Sequence, residues 1–282
     1  MDTRGLGGRW ADFQRHWFGS PPPDLAPFVH RYWAACWDLR GQEPYRQLVA
    51  PSVAVQWTFV DREPGVVWGP TRRFDHRVLQ GAGRVFGVAF RPGAFRPFLP
   101  GPVSALTGRC VPMRSVFGRD LVLPSRTASA DAAEQLLRAD ELVEQLLRAD
   151  EPSAERLFGV DVPYVEQFLR AALPSPEPAA ADAVALIVAE PAVTRVDQLA
   201  DRLGLGVRAL QRLFAEHVGL GPKWCIRRYR IAEAAKRLEA GSSIDWATLA
   251  VELGYADQAH FSRDFTAILG EPPTRYALRY PA

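Results

Sequence analysis

A pattern that occurs twice in the last hundred residues constrains this chain most. In "LADRLGLGVRALQRLF" the small residue Ala200 stands four positions before Gly204, and the apolar Leu210 follows. Fifty residues later, "LAVELGYADQAHFSRDF" repeats this step at Ala250 and Gly254. A helix-turn-helix needs a small residue where its helices cross and a glycine in the turn. A single copy would more often reflect core packing, but the two copies together predict two such units.

The stretch between the two copies predicts one long helix. It begins with Pro222, which is favoured at a helix start, and contains no breaker before Gly241. At 1.5 Å per residue this helix spans roughly 27 Å, and successive major grooves of DNA lie about 34 Å apart. The spacing therefore suits two units that each insert a helix into DNA.

The motif "GYADQAHFSRDF" contains a His, a Ser and an Asp, which raises the possibility of a catalytic triad. His260 and Ser262 are two positions apart, so on a helix they point about 200° away from each other and cannot share a proton. The polar face of this helix instead presents Gln258, His260, Arg263 and Asp264. Arg and Gln can each make paired hydrogen bonds to guanine and adenine edges, so the helix is better suited to reading bases.

Residues from about 182 to 280 resemble the DNA-binding domain of the AraC/XylS family of transcription regulators. The resemblance is carried by "LADRLGLGVRALQRLFAEHVGLGPKW", "RRYRIAEAAKRL" and "LAVELGYADQAHFSRDFTAILGEPPTRY". It implies that the second helix of each unit enters a major groove. The base-facing residues it implies are Arg208, Gln211, Arg212, Gln258, Ala259, His260 and Arg263. The phosphate contacts it implies are Lys223, Arg228, Ser262 and Thr274.

The C-terminal region departs from this family in its first unit. Gly206 stands where the family usually has a Ser that caps the recognition helix. Glycine lacks the side-chain acceptor for the backbone N–H groups, at a cost of only a few tenths of a kcal/mol. The region is also close to neutral, so DNA binding must rely on arginines gathered on one face. The aromatic residues expected in the core here are Phe214, Trp224, Tyr229 and Tyr255.

The first part of the chain predicts a different architecture. Short strand-like runs such as "SVAVQWTFV" and "RVFGVAF" alternate with Pro and Gly turns between residues 25 and 123. We therefore predict an α+β protein of two domains, with a β-rich, sandwich-like or barrel-like N-terminal domain and an all-α C-terminal domain. The predicted ranges are 1–172 for the first domain, with helices near 131–172, then a Pro- and Ala-rich linker at 173–181, and the second domain at 182–282. "EQLLRADE" occurs at Glu134 and again at Glu144, and its role is open.

The function of the first domain is less constrained. Residues from about 25 to 120 resemble, more loosely, a β-rich domain found with such regulators, which implies sensing of a small molecule or dimerisation. An apolar pocket with a polar end is one interpretation, although aromatic residues that alternate along strands usually fill a core. The pocket residues would be Trp33, Trp57, Trp68, His76, Phe86, Phe90 and Arg91.

Several function classes lack support in the sequence. Cys36, Cys110 and Cys225 are widely separated, so we expect reduced core residues, and the scattered histidines predict no metal and no cofactor. No apolar run is long enough to span a membrane, and we expect a cytoplasmic protein that is not an enzyme. The leading hypothesis is a transcription regulator that binds double-stranded DNA as a monomer or homodimer, with a small-molecule effector and RNA polymerase as possible partners. The alternatives are a cupin-like metal-dependent enzyme and a protein-binding adaptor.

Overall fold

The computed structural model describes residues 13–60, 63–123, 162–239 and 245–278. Its first part is a mixed sheet-and-turn domain and its second part is helical, which confirms the predicted α+β architecture. The "EQLLRADE" duplication and most of the helices expected near 131–172 lie outside the described residues.

A six-stranded antiparallel sheet forms the centre of the first domain, with the strand order β1-β2-β7-β4-β5-β8. A separate antiparallel pair joins β3 to β6. The strands are β1 (Gln14–Gly19), β2 (Val29–Leu39), β3 (Tyr45–Val49), β4 (Gln56–Val60), β5 (Val66–Trp68), β6 (Asp75–Leu79), β7 (Gly81–Phe90) and β8 (Cys110–Pro112).

The two-residue period of the strands separates a core face from an outer face. On β2, Tyr32, Ala34 and Cys36 point into the core, and the intervening Trp33 and Trp37 lie on the opposite face. The core face is covered by turn and helix residues from outside the sheet, including Phe95, Phe98 and Phe168. Aromatic side chains of this domain therefore form a core on one of the two sheet faces.

Helices occupy the rest of the described chain. Two 3-10 turns, Arg96–Phe98 and Val103–Leu106, precede β8. The α-helices are α1 (Arg114–Phe117), α2 (Val162–Ala171), α3 (Ala179–Ala189), α4 (Val196–Arg202), α5 (Val207–Leu213), α6 (Pro222–Glu239), α7 (Trp246–Glu252), α8 (Gln258–Leu269) and α9 (Pro273–Ala277). Between α2 and α3 the chain forms neither helix nor strand, within the Pro- and Ala-rich stretch predicted as a linker.

The helical part contains two hydrophobic cores arranged along α6. The first core combines α3, α4, α5 and the start of α6, up to Ile226. The second begins at Ile231 and combines the rest of α6 with α7, α8 and α9. Each predicted helix-turn-helix unit thus has its own core, and α6 connects them.

The cysteines differ from the expectation in one position. Cys36 and Cys225 are buried, and burial raises the pKa of the Cys225 thiol to about 12. Cys110 is exposed, because β8 is the edge strand of the sheet. The expectation that Cys110 belongs to the core was therefore wrong.

Candidate nucleic-acid interface

Both helix-turn-helix units have the geometry that the repeated motif predicts. Ala200 and Ala250 are almost fully buried where the first helix of each unit crosses the second. Gly204 and Gly254 end these helices with φ of 64° and 81°, in the left-handed region that favours glycine. At Gly254 a Cβ would also lie 2.4 Å from the Cβ of Thr194. The backbone conformation of both turns therefore favours glycine, as the sequence pattern predicted.

The second helix of each unit is anchored by apolar side chains on one face. Leu210 and Phe214 pack into the first core, and Phe261 and Phe265 into the second, all of them fully buried. After Leu213, α5 continues as one turn of π-helix that ends at Gly219. Each helix is therefore fixed to the fold through one face and leaves the other free.

The two helices begin differently. The carboxylate of Asp257 accepts a hydrogen bond from the backbone N–H of His260 at 2.7 Å and caps α8. Gly206 occupies the equivalent position of α5 and provides no side-chain cap. The sequence identified the missing cap at Gly206, and Asp257 is a functional cap that sequence reasoning did not single out.

All the residues predicted to face bases are exposed on α5 and α8. On α5 their side chains, together with Ala215, line an open groove of about 500 Å³. A second groove of about 540 Å³ runs between α5 and the turn at Pro102 and Ser104 of the first domain. The exposed candidates are Arg208, Gln211, Arg212, Gln258, Ala259, His260 and Arg263.

The residues predicted to contact phosphate fall into two groups. Lys223 and Thr274 are exposed and Ser262 is half-buried, so all three have access to solvent. Arg228 is only 9% exposed, and its Nε donates to the carbonyl oxygen of Pro51 at 2.8 Å. Burial lowers the pKa of Arg228 to about 10. Arg228 is therefore an internal contact between the two domains, and the prediction that it binds phosphate is corrected.

Asp264 also differs from the expectation that it lies on the polar face of α8. It is 6% exposed and forms a bidentate pair with Arg227 of α6, which ties α8 to α6. His260 lies at the rim of this pair, with Nε2 3.8 Å from Oδ2 of Asp264, and its ring meets that of Tyr255 at 5.1 Å. The position of Asp264 beside Phe261 and Phe265 in the sequence could have indicated its burial.

The residues predicted to line an effector pocket do not come together. Trp57, Phe86 and Phe90 are fully buried in the core on one face of the large sheet. Trp33 and Trp68 belong to the opposite face, where Trp33 covers Gly87 and Trp68 donates its indole N–H to the Thr58 hydroxyl. The remaining two are exposed, His76 next to Phe74 and Arg91 bonded to the carbonyl of Ala26. These seven residues do not line one pocket, because five of them are divided between the two faces of the large sheet, while His76 lies on the separate β3–β6 pair and Arg91 follows the end of β7.

No three His, Cys, Asp or Glu side chains in residues 13–60, 63–123, 162–239 and 245–278 lie close enough to hold a metal ion. Within the same ranges, none of the helices combines the length and the apolar character needed to cross a membrane.

Comparison with known proteins finds separate matches for the β-rich part and the helical part of the chain. A family model described as "Helix-turn-helix domain" matches residues 199–279. Another, described as "Domain of unknown function (DUF6597)", matches residues 19–112, which contain most of the large sheet. The helical match covers both units and the helix between them.

Curated relatives match about 30% of this chain. The HTH-type transcriptional activator RhaS of Pectobacterium carotovorum is 36% identical over 84 residues, which is 30% of this chain and 29% of that protein. The HTH-type transcriptional activator AarP of Providencia stuartii is 35% identical over 83 residues, which is 29% of this chain and 61% of that protein. The chain thus matches less than a third of the length of RhaS.

A solved structure is also similar to part of this chain. It is a transcriptional regulator from Chromobacterium violaceum, of the AraC-type DNA-binding domain-containing proteins. The match has 23% identity and a TM-score of 0.34, and covers 36% of this chain and 92% of that one.

Proposed function

We propose that this chain is a sequence-specific DNA-binding transcription regulator of the AraC/XylS type, since a helix-turn-helix family model matches residues 199–279 and the transcriptional activators RhaS and AarP are among its relatives. In this proposal α5 and α8 enter successive major grooves of one DNA duplex. The 18 residues of α6 give a connecting helix of about 27 Å, which suits the groove spacing of about 34 Å once the units extend from its two ends.

One observation carries the proposal. The residues that the motif assigns to base contacts are all exposed, on the two helices whose opposite faces are fixed in the two cores. Three of them are arginines, whose paired donors can recognise guanine: Arg208 and Arg212 on α5 and Arg263 on α8. This distribution of buried and exposed faces is what a reading helix requires, since it needs a rigid anchor behind an accessible polar surface.

The wider biology of the regulator forms part of the proposal. We expect it to act in the cytoplasm, to bind as a monomer or homodimer, and to communicate with RNA polymerase. The β-rich domain is proposed to sense a small molecule or to mediate dimerisation. A small-molecule site there would need a different set of residues from the seven named from the sequence, since those are spread over both faces of the large sheet and the separate β3–β6 pair.

Selection from a random DNA pool tests the central proposal. The purified full-length chain is mixed with the pool at moderate salt, and the bound sequences are amplified and read. We expect two short motifs about 10 bp apart, with an affinity that falls steeply as salt rises. No enrichment, or equal retention of all sequences, would contradict sequence-specific binding.

Substitution of Arg263 by Ala tests the assignment of α8. We expect Arg263→Ala to weaken binding to the selected site by about 1–3 kcal/mol and to relax the preference at one position. Arg40→Ala is the matched control, because Arg40 is an exposed arginine of the β2–β3 turn that pairs locally with Asp38. Unchanged affinity and unchanged preference in Arg263→Ala would count against α8 as a reading helix.

A further inference from the structure

The loop between β3 and β4 enters the junction of the two helix-turn-helix units. We call residues 50–53 the bridging segment. Val53 is buried in the core of the first unit, and Ala50 packs against the core of the second. Between them, the carbonyl of Pro51 accepts the hydrogen bond from Arg228, which lies on α6 between the two cores. The bridging segment therefore touches both units and the helix that connects them.

The bridging segment is held firmly by the first domain. The backbone N–H of Ser52 donates to the Thr71 hydroxyl at 3.0 Å, and the backbone N–H of Thr71 donates to the Ser52 carbonyl at 2.9 Å. The Ser52 hydroxyl also bonds to the backbone of Ala54. A segment held at its centre by these backbone and side-chain hydrogen bonds cannot move without breaking them. It therefore keeps the parts that it contacts in a fixed position relative to the first domain.

Further contacts attach each unit to the first domain. On the first unit, the Thr107 hydroxyl donates to the Gly219 carbonyl at 2.7 Å, and Arg96 pairs with Glu216. On the second unit, Gly270 at the end of α8 faces Leu48, where a Cβ would lie 2.8 Å from Cδ1 of that leucine. Each reading helix is thus contacted near its C-terminal end by the same rigid domain.

We propose that the bridging segment fixes the placement of the two reading helices relative to each other, and thereby sets the spacing between half-sites that the protein accepts. This inference rests on the proposed function as a two-unit DNA reader. Helix α6 connects the two cores through residues 226–231, where a small bend would shift both reading helices, and the turn at Gly254 also lies against Thr194 of the first unit. Contacts from the bridging segment to both sides of this stretch oppose such a bend.

The affinity for DNA with different spacer lengths between the two half-sites measures this role directly. The probe is the DNA found by pool selection, together with four variants whose spacer is one or two base pairs shorter or longer. We expect the unsubstituted full-length chain to bind the variants with a shift of one base pair at least about tenfold more weakly, because each base pair moves and rotates the second half-site away from its reading helix. A single half-site serves as the reference for binding by one unit.

Val53→Ala removes part of the packing against the first unit. In this variant we expect the penalty for a one-base-pair shift to fall to about threefold or less, with little change in affinity for the single half-site. Val78→Ala is the matched control, because Val78 is 59% exposed on β6. Thr71→Val removes the acceptor for the Ser52 N–H and should lower the penalty for a shifted spacer in the same way. It replaces Val53→Ala if circular dichroism shows that Val53→Ala is poorly folded.

The outcomes separate the two proposals. Spacer profiles of Val53→Ala and Thr71→Val that run parallel to that of the unsubstituted chain would overturn the role of the bridging segment and leave DNA recognition standing. Absence of any enriched DNA for the unsubstituted chain would overturn the proposed function and this inference with it.

Discussion

Asp264 shows how one side chain on a reading helix can serve the fold instead of the DNA. Its carboxylate is nearly inaccessible and is satisfied by the guanidinium of Arg227, which is itself 38% exposed. The Tyr255 hydroxyl lies close to the same pair, and burial raises the pKa of that tyrosine above its ordinary value. The pair therefore fixes the rotation of α8 about its axis, on which the direction of Arg263 and His260 depends.

Asp264→Asn tests this structural role. The amide keeps the shape of the side chain but leaves Arg227 without its charged partner, so we expect the free energy of unfolding to fall by about 1–3 kcal/mol. Urea denaturation measured by circular dichroism gives the value. Asp201→Asn is the control, because Asp201 is exposed on α4 and its substitution should change stability by less than about 0.5 kcal/mol. Equal stability of the two variants would exclude the pair as a tie between α6 and α8.

At the scale of the helix, the two reading helices offer a comparison within one chain. Asp257 caps α8, whereas Gly206 leaves the first N–H groups of α5 without a side-chain acceptor. Gly206 has φ of −71°, which any residue adopts, and no atom lies within 4 Å of a Cβ built there. A serine at this position would fit without strain.

Gly206→Ser should stabilise the protein by a few tenths of a kcal/mol, and Asp257→Ala should destabilise it by about 1 kcal/mol, because each changes one N-cap hydrogen bond. Thermal unfolding followed by circular dichroism compares both with the unsubstituted chain. A lower melting temperature for Gly206→Ser would show that the open N-terminus of α5 has another role in the fold.

The sequence predicted those elements whose requirements are local. The small residue and the glycine of each turn, and the apolar stripe of α8, depend on neighbours within a few positions, so their spacing identified both units. The burial of Arg228 depends on Pro51, which is 177 positions away, and no periodicity contains that contact. The residues predicted to line an effector pocket do not come together, for a related reason. Alternation along each strand indicates which residues share a face, but it does not indicate which face will be covered.

At the scale of the whole molecule, charge sets how the protein should respond to salt. The formal net charge is only +2, so attraction to DNA must come from individual cations near the two reading helices and not from an overall positive field. With Arg228 engaged by Pro51, Lys223 is the one charged residue that remains among the four predicted phosphate contacts. Its contribution to the salt dependence should therefore be separable.

Lys223→Gln should weaken binding by a similar factor on every sequence and reduce the slope of log affinity against log salt by about 0.9, since one phosphate contact is lost. Titration of the selected DNA at several salt concentrations measures the slope. Lys236→Gln is the matched control. Lys236 is exposed on the same helix and lies thirteen residues after Lys223, so the two side chains point about 140° apart. If both substitutions reduce the slope equally, α6 contributes through its overall charge; if only Lys223→Gln does, the start of α6 lies against the DNA backbone, as the two-groove arrangement requires.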